Sequence, residues 1–146
     1  MWDLQDIDDD GIPELLISTG TEKNDIVFIY YYENGEAMSL HEMYTVDRYG
    51  EYGVAGICKE DHLIGWIGIF DNYKTTNITK FEDNQKTEDL HYNYSDNAAS
   101  YSGEPYALNS IPISEEEYNE GIERYNSKNW VTVGRQYNLI DLSPLH

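Results

Sequence analysis

The sequence predicts a mainly β protein of the α+β class, an antiparallel meander sheet or small sandwich with one C-terminal amphipathic helix at about residues 114–126. Short apolar runs separated by turn residues recur along the chain, which is typical of strands. Tyrosine occurs 14 times, and this side chain favours strands. A chain of 146 residues fits a single domain over residues 1–146.

The amino-terminal part of the chain carries the clearest strand signals. Residues 14–19 form an apolar run, and two further runs at 25–33 and 36–45 flank the dipeptide Asn34-Gly35. An Asn-Gly pair between two such runs predicts a type I′ hairpin, because both turn positions require positive φ.

The later part of the chain alternates between strand-like runs and polar segments. Further strands are predicted at residues 52–58, 62–70, 75–81, 130–133 and 138–142. The charged residues 59–61 between two of these runs indicate a tight turn. Residues 82–103 are rich in Asn, Asp and Ser, so they predict a loop with at most one weak strand near residues 90–94.

The helix prediction depends on a capping box. Ser114 is followed three residues later by Glu117, a spacing in which each side chain satisfies a free amide of the other residue. The acidic residues in this first turn also interact favourably with the positive end of the helix dipole. Tyr118, Ile122 and Tyr125 then share one face, which predicts an amphipathic helix.

The charge balance restricts the classes of partner. The chain has 9 Lys+Arg against 28 Asp+Glu, a formal net charge of -19. Such a surface repels nucleic acid and anionic membranes, whereas it attracts cations and basic protein surfaces. No apolar run approaches ~20 residues, so no membrane span is predicted. The single cysteine excludes an intrachain disulfide.

Residues 6–14, called the acidic loop below, carry the strongest chemical signal. Three aspartates alternate, so a tightly curved backbone can turn their carboxylates inward, and Gly11 permits the sharp bend. Calcium takes ~6–8 oxygen ligands in flexible geometry, whereas magnesium demands a stricter octahedron. The sequence therefore predicts a Ca²⁺ site. Its candidate ligands are the side chains of Asp6, Asp8, Asp10 and Glu14 and the backbone carbonyl of Ile12.

The acidic loop differs from an EF-hand, which needs a glutamate at its twelfth position and a helix after it, because Ile17 and a strand-like run stand there. Over residues 2–19 the pattern resembles the Asp-x-Asp-x-Asp-Gly-x-x-Asp/Glu-Leu calcium loop of FG-GAP and VCBS-type repeats. That resemblance implies a loop between two strands and the same five ligands. Those families repeat the loop to build a propeller, and a single copy excludes that architecture here.

A looser resemblance concerns the whole chain. The Ile-Pro-Glu-Leu sequence that ends the acidic loop, the Tyr-rich hairpin and the late Ser-Glu-Glu-Glu-Tyr helix are similar to small exported or lipoprotein-type domains of Gram-positive bacteria. The resemblance implies an extracellular or cell-envelope location. Because the acidic loop begins so early, we expect the natural chain to extend N-terminally, with a leader or first strand before it.

The motifs argue against an enzyme. The histidines are scattered, and no zinc, nucleophile-elbow or phosphate-loop spacing is present. These histidines are His41, His62, His91 and His146. The expected function is a calcium-binding, non-catalytic module of an exported bacterial protein, in which the ion stabilises a strand-loop-strand and the partner is an unidentified protein or carbohydrate. The alternative is a cytoplasmic acidic nucleic-acid mimic of the phage counter-defence type, which would occupy the basic surface of a DNA- or RNA-binding protein.

Overall fold

The computed structural model describes residues 1–18, 27–43, 56–70, 73–96 and 103–132. Within them the chain forms two antiparallel sheets and one α-helix, so the mainly β prediction is confirmed. The predicted strand at 138–142 lies outside the described residues, as do residues 19, 25–26, 44–45, 52–55 and 133 of other predicted strands. No helix in the described ranges is both long enough and apolar enough to cross a bilayer.

The first sheet is a four-stranded meander. Its strands are β1 (Trp2–Gln5), β2 (Glu14–Ser18), β3 (Val27–Glu33) and β4 (Glu36–Met43), and each pairs antiparallel with the next. The Asn-Gly hairpin is confirmed: Asn34 and Gly35 have φ values of 51° and 88°. The resemblance to the calcium loop implied a strand before the acidic loop, and β1 stands there. The residue pattern alone did not indicate it, because four residues that include a charged Asp3 lack a recognisable apolar pattern.

The second sheet contains seven strands. They are β5 (Gly56–Cys58), β6 (Leu63–Phe70), β7 (Tyr73–Glu82), β8 (Gln85–Ser95), β9 (Tyr106–Leu108), β10 (Ile111–Pro112) and β11 (Val131–Thr132). Their spatial order is β10-β9-β8-β7-β6-β5-β11, so the chain returns after the helix to pair β11 with β5. The predicted turn at 59–61 is a short 3₁₀ turn, Lys59–Asp61.

The prediction of a loop over residues 82–103 was wrong for residues 85–95, where the weak strand predicted near residues 90–94 is part of a longer strand. Residues 97–102 of the predicted loop lie outside the described residues. Strand β8 occupies Gln85–Ser95 and pairs along its length with β7. Asp83 and Asn84 both have positive φ (49° and 57°) and close a tight hairpin between these strands. Polar residues fill one face of β8, while Leu90, Tyr92 and Tyr94 alternate on the other face and pack under the helix. These three residues lie in the weak strand that the sequence predicted near residues 90–94, and their alternation is typical of a strand with one buried face.

Helix α1 spans Glu115–Asn126, in agreement with the prediction. The Glu117 amide donates to Ser114 Oγ (3.1 Å), and the Ser114 amide donates to Glu117 Oε2 (2.9 Å), which completes the predicted capping box. Tyr118 and Tyr125 are buried against the second sheet. This burial and the cap fix the position of the helix against the second sheet.

One buried cluster joins the two sheets. Ile7, Leu16 and Ile29 come from the first sheet and the acidic loop, whereas Ile57, Ile64 and Phe81 come from the second sheet. All six are essentially inaccessible to solvent. Because Ile7 belongs to the acidic loop, the position of that loop is tied to the core shared by both sheets.

Candidate metal centre

The acidic loop connects β1 to β2 and is curved by hydrogen bonds from its own amides. The Gly11 amide donates to Asp6 Oδ2 (3.0 Å), and the Ile12 amide donates to Asp10 Oδ1 (2.7 Å). Gly11 has a φ of 87° and Asp9 a φ of 58°. The backbone therefore makes the sharp bend that the aspartate spacing and the glycine predicted.

Three carboxylates of the acidic loop converge. Asp6, Asp8 and Glu14 each place one oxygen within 4.8 Å of the others. Glu14 is 0% exposed and Asp8 is 7% exposed. Three such negative groups repel one another strongly where water is excluded, unless a cation or a proton compensates them. The cluster is thus a group of oxygens that can hold a metal ion.

The pKa of Glu14 shows that burying a carboxylate among other carboxylates has an electrostatic cost. Its Oε2 accepts a hydrogen bond from the Ile7 amide (2.9 Å). Burial raises the pKa of Glu14 to about 7, the Ile7 hydrogen bond opposes this shift, and the charges of Asp8 and Asp10 add to it. At neutral pH the buried site therefore favours a bound positive charge.

One oxygen of each converging carboxylate also has no hydrogen-bond donor among the described residues. Seven buried side-chain N or O atoms have no hydrogen-bond partner within the described part of the chain. Four of them are acceptors around the acidic loop: Asp6 Oδ1, Asp8 Oδ1, Glu14 Oε1 and Asn84 Oδ1. Leaving a buried acceptor unsatisfied costs ~1–3 kcal/mol. A single cation that contacts several of these oxygens would remove much of that cost.

The β7–β8 turn closes the site from the second sheet. The Asn84 amide donates to Asp8 Oδ2 (3.0 Å), and Asn84 Nδ2 donates to Asp10 Oδ2 (3.0 Å). Sequence reasoning missed Asn84, which lies in a polar segment far from the acidic loop along the chain. No local pattern links a turn residue to a loop on another sheet.

No family model, curated protein or solved structure matches this chain. The geometry of the site is therefore the basis for the chemistry proposed for it.

The structure brings together three of the five predicted ligands. Asp6, Asp8 and Glu14 form the converging group. Asp10 is not part of this group, and its two oxygens accept hydrogen bonds from the Ile12 amide and from Asn84 Nδ2. Coordination by Asp10 stays a prediction. The Ile12 side chain is 45% exposed, and coordination by its carbonyl stays a prediction.

Proposed function

We propose that the acidic loop binds one calcium ion, and that this ion has a structural rather than a catalytic role. One observation carries the proposal. The fully buried Glu14 keeps Oε1 without a hydrogen-bond partner in the described residues and directs a carboxylate oxygen toward Asp6 and Asp8 within 4.8 Å. Buried carboxylate oxygens are normally paired with donors or coordinate metals, and Glu14 Oε1 has no donor among the described residues.

The donor set favours calcium over other ions. The converging group contains carboxylates alone, without histidine or cysteine, whereas zinc and later transition metals prefer nitrogen or sulfur. The acidic loop offers oxygens at irregular spacing on a curved backbone, which suits the flexible coordination of calcium. Magnesium retains several waters and needs a near-ideal octahedron, so it fits this buried group less well.

The structural role follows from what surrounds the ion. Ile7 lies between Asp6 and Asp8 in sequence, Leu16 lies two residues after Glu14, and both are in the core shared by the two sheets. Neutralising the carboxylates would hold β1, the acidic loop and β2 in one arrangement and keep those two side chains buried. We extend the proposal to a non-catalytic module of an exported bacterial protein, since calcium outside cells is abundant enough to fill even a weak site of ~10⁻⁴–10⁻³ M.

Thermal unfolding with calcium and with a chelator tests this function. A ligand that binds the folded state alone stabilises it by ~2.7 kcal/mol at 100 times its Kd. We expect a clear rise in Tm with calcium, a smaller one with magnesium at equal concentration, and loss of the calcium effect in Asp8→Asn. Equal Tm values in calcium and in chelator would refute the proposal.

A further inference from the structure

The β7–β8 turn contacts the acidic loop through Asn84, a residue outside the aspartate pattern. We propose that Asn84 is a metal ligand through its Oδ1, so that the ion joins the first sheet to the second. This inference rests on the proposed calcium site and deepens it. The ion would then link the two sheets rather than stabilise a single turn.

The hydrogen bonds of Asn84 fix its orientation. Its backbone amide is bound to Asp8 and its Nδ2 to Asp10, both at 3.0 Å. The remaining polar atom of the side chain, Oδ1, is buried and has no hydrogen-bond partner among the described residues. A buried amide oxygen normally accepts from an N–H or O–H donor. The loop groups bound to Asn84 are carboxylates, which act here as acceptors.

A cation satisfies these oxygens together. Asparagine carbonyl oxygens are common calcium ligands, and a neutral ligand adds coordination without adding further charge repulsion. Asp6, Asp8, Glu14 and Asn84 each hold one buried, unpartnered oxygen. Two residues of this set, Asp8 and Asn84, are already joined by a hydrogen bond. One positive ion bound by these four oxygens would remove their shared lack of a donor.

The turn that carries Asn84 is well defined. Asn84 has a φ of 57°, and Glu82 pairs with Gln85 across the turn. Strands β7 and β8 continue this pairing to Tyr73 and Ser95, so the turn is held by a long ladder. A ligand on such a hairpin is preorganised, which favours tight binding.

The inference predicts a link between metal binding and the packing of the sheets. Phe81 lies three residues before Asn84 and shares its buried cluster with Ile7 of the acidic loop. An ion held by Asp8, Glu14 and Asn84 would restrain both sides of this contact. Removing the ion would loosen the sheets where they meet.

Two substitutions separate coordination by Oδ1 from positioning by Nδ2. Asn84→Gly removes both groups, keeps the backbone amide that binds Asp8, and suits the positive φ. Asn84→Asp keeps a coordinating oxygen and removes the N–H donor to Asp10. Asn109→Gly is the matched control, because Asn109 also has positive φ (49°) and also makes side-chain hydrogen bonds in a turn of the second sheet.

Calorimetric titration of the full chain with calcium measures whether Oδ1 of Asn84 contributes to calcium affinity. We expect Asn84→Gly to weaken calcium binding by roughly 10–100-fold, and Asn84→Asp and Asn109→Gly to bind about as tightly as the unchanged protein. Equal weakening in Asn84→Gly and Asn84→Asp would overturn the inference, since the N–H donor would then be the important group. Unchanged affinity in Asn84→Gly, or equal weakening in Asn109→Gly, would overturn it too.

The unchanged protein separates the two proposals. If it binds no calcium, the proposed function fails and the inference fails with it. If it binds calcium and Asn84→Gly binds equally well, the calcium site is supported and coordination by Asn84 is rejected. Melting curves in chelator check that each variant is folded before its titration is interpreted.

Discussion

The backbone amide of Asn84 donates to Asp8 Oδ2 at 3.0 Å, although the two residues are 76 positions apart in sequence. Asp8 belongs to the acidic loop of the first sheet, and Asn84 belongs to the β7–β8 turn of the second sheet. The acidic loop is therefore built into the junction of the two sheets. A change in its charge should affect the stability of both sheets together.

Glu14→Gln should have opposite effects with and without calcium. In chelator at neutral pH the variant should be more stable than the unchanged protein by about 1–3 kcal/mol, since it removes a buried charge and its amide can donate to the oxygens of Asp6 and Asp8. In calcium the order should reverse, because a negatively charged ligand is replaced by a neutral amide that attracts the ion less strongly. Urea unfolding under both conditions measures this, with the exposed Glu120→Gln as control. Identical behaviour of the two variants would argue against a special role for Glu14.

The pH dependence of stability should also reveal Glu14. Burial raises its pKa from the ordinary 4.5 to about 7, so the folded state binds this proton more tightly than the unfolded state does. Its contribution to the free energy of unfolding is fully present below pH 4.5 and is lost as the pH rises through about 7. The loss should amount to about 3 kcal/mol.

The measurement is urea unfolding in chelator between pH 4 and 8, where the difference between the unchanged protein and Glu14→Gln isolates this carboxyl from the many other acids. Calcium binding should show the opposite trend and tighten as the pH rises, because protons compete for the same oxygen. A pH-independent difference between the two proteins would contradict the prediction.

Gly121→Ala should destabilise the fold without touching the metal site. A Cβ at position 121 would lie 2.3 Å from ring atoms of Tyr92, so the helix or the ring must move. Overpacking of this kind costs ~1–3 kcal/mol, which exceeds the gain of ~1 kcal/mol that alanine normally brings to a helix. Urea unfolding gives the sign, and calorimetry should show unchanged calcium affinity. A stabilised variant would mean that the packing of α1 on β8 is different.

Ser114→Ala tests the helix start. The serine hydroxyl accepts from the Glu117 amide, and the Glu117 carboxylate accepts from the Ser114 amide. Removing this cap should cost about 1 kcal/mol of stability. The free energy of unfolding from urea titration measures the loss. A double mutant with Glu117→Ala should lose less than the sum of the two single changes, because both act on the same cap.

Local signals in the sequence predicted part of this structure. Asn34-Gly35 identified its hairpin and Ser114 its helix, because turn and cap chemistry depend on neighbouring residues alone. The spacing of Asp6, Asp8 and Glu14 identified the loop whose carboxylates converge. Strand β8 was predicted only in part, near residues 90–94, because its polar face outweighed the alternation of its tyrosines.

The contribution of Asn84 could not be predicted from the sequence, since it depends on how the second sheet packs against the first. The hydrogen bond from Asn84 Nδ2 to Asp10 depends on the same packing, so it could not be predicted either. Coordination of the ion by Asp10 stays a prediction.

A crystal structure of the protein grown with calcium, with anomalous diffraction recorded at a wavelength where calcium scatters, would test the central claim most directly. The account predicts an anomalous peak bound by Asp6, Asp8 and Glu14 at about 2.3–2.6 Å. Calcium located elsewhere, or a loop without such a peak in crystals soaked at high calcium concentration, would contradict it.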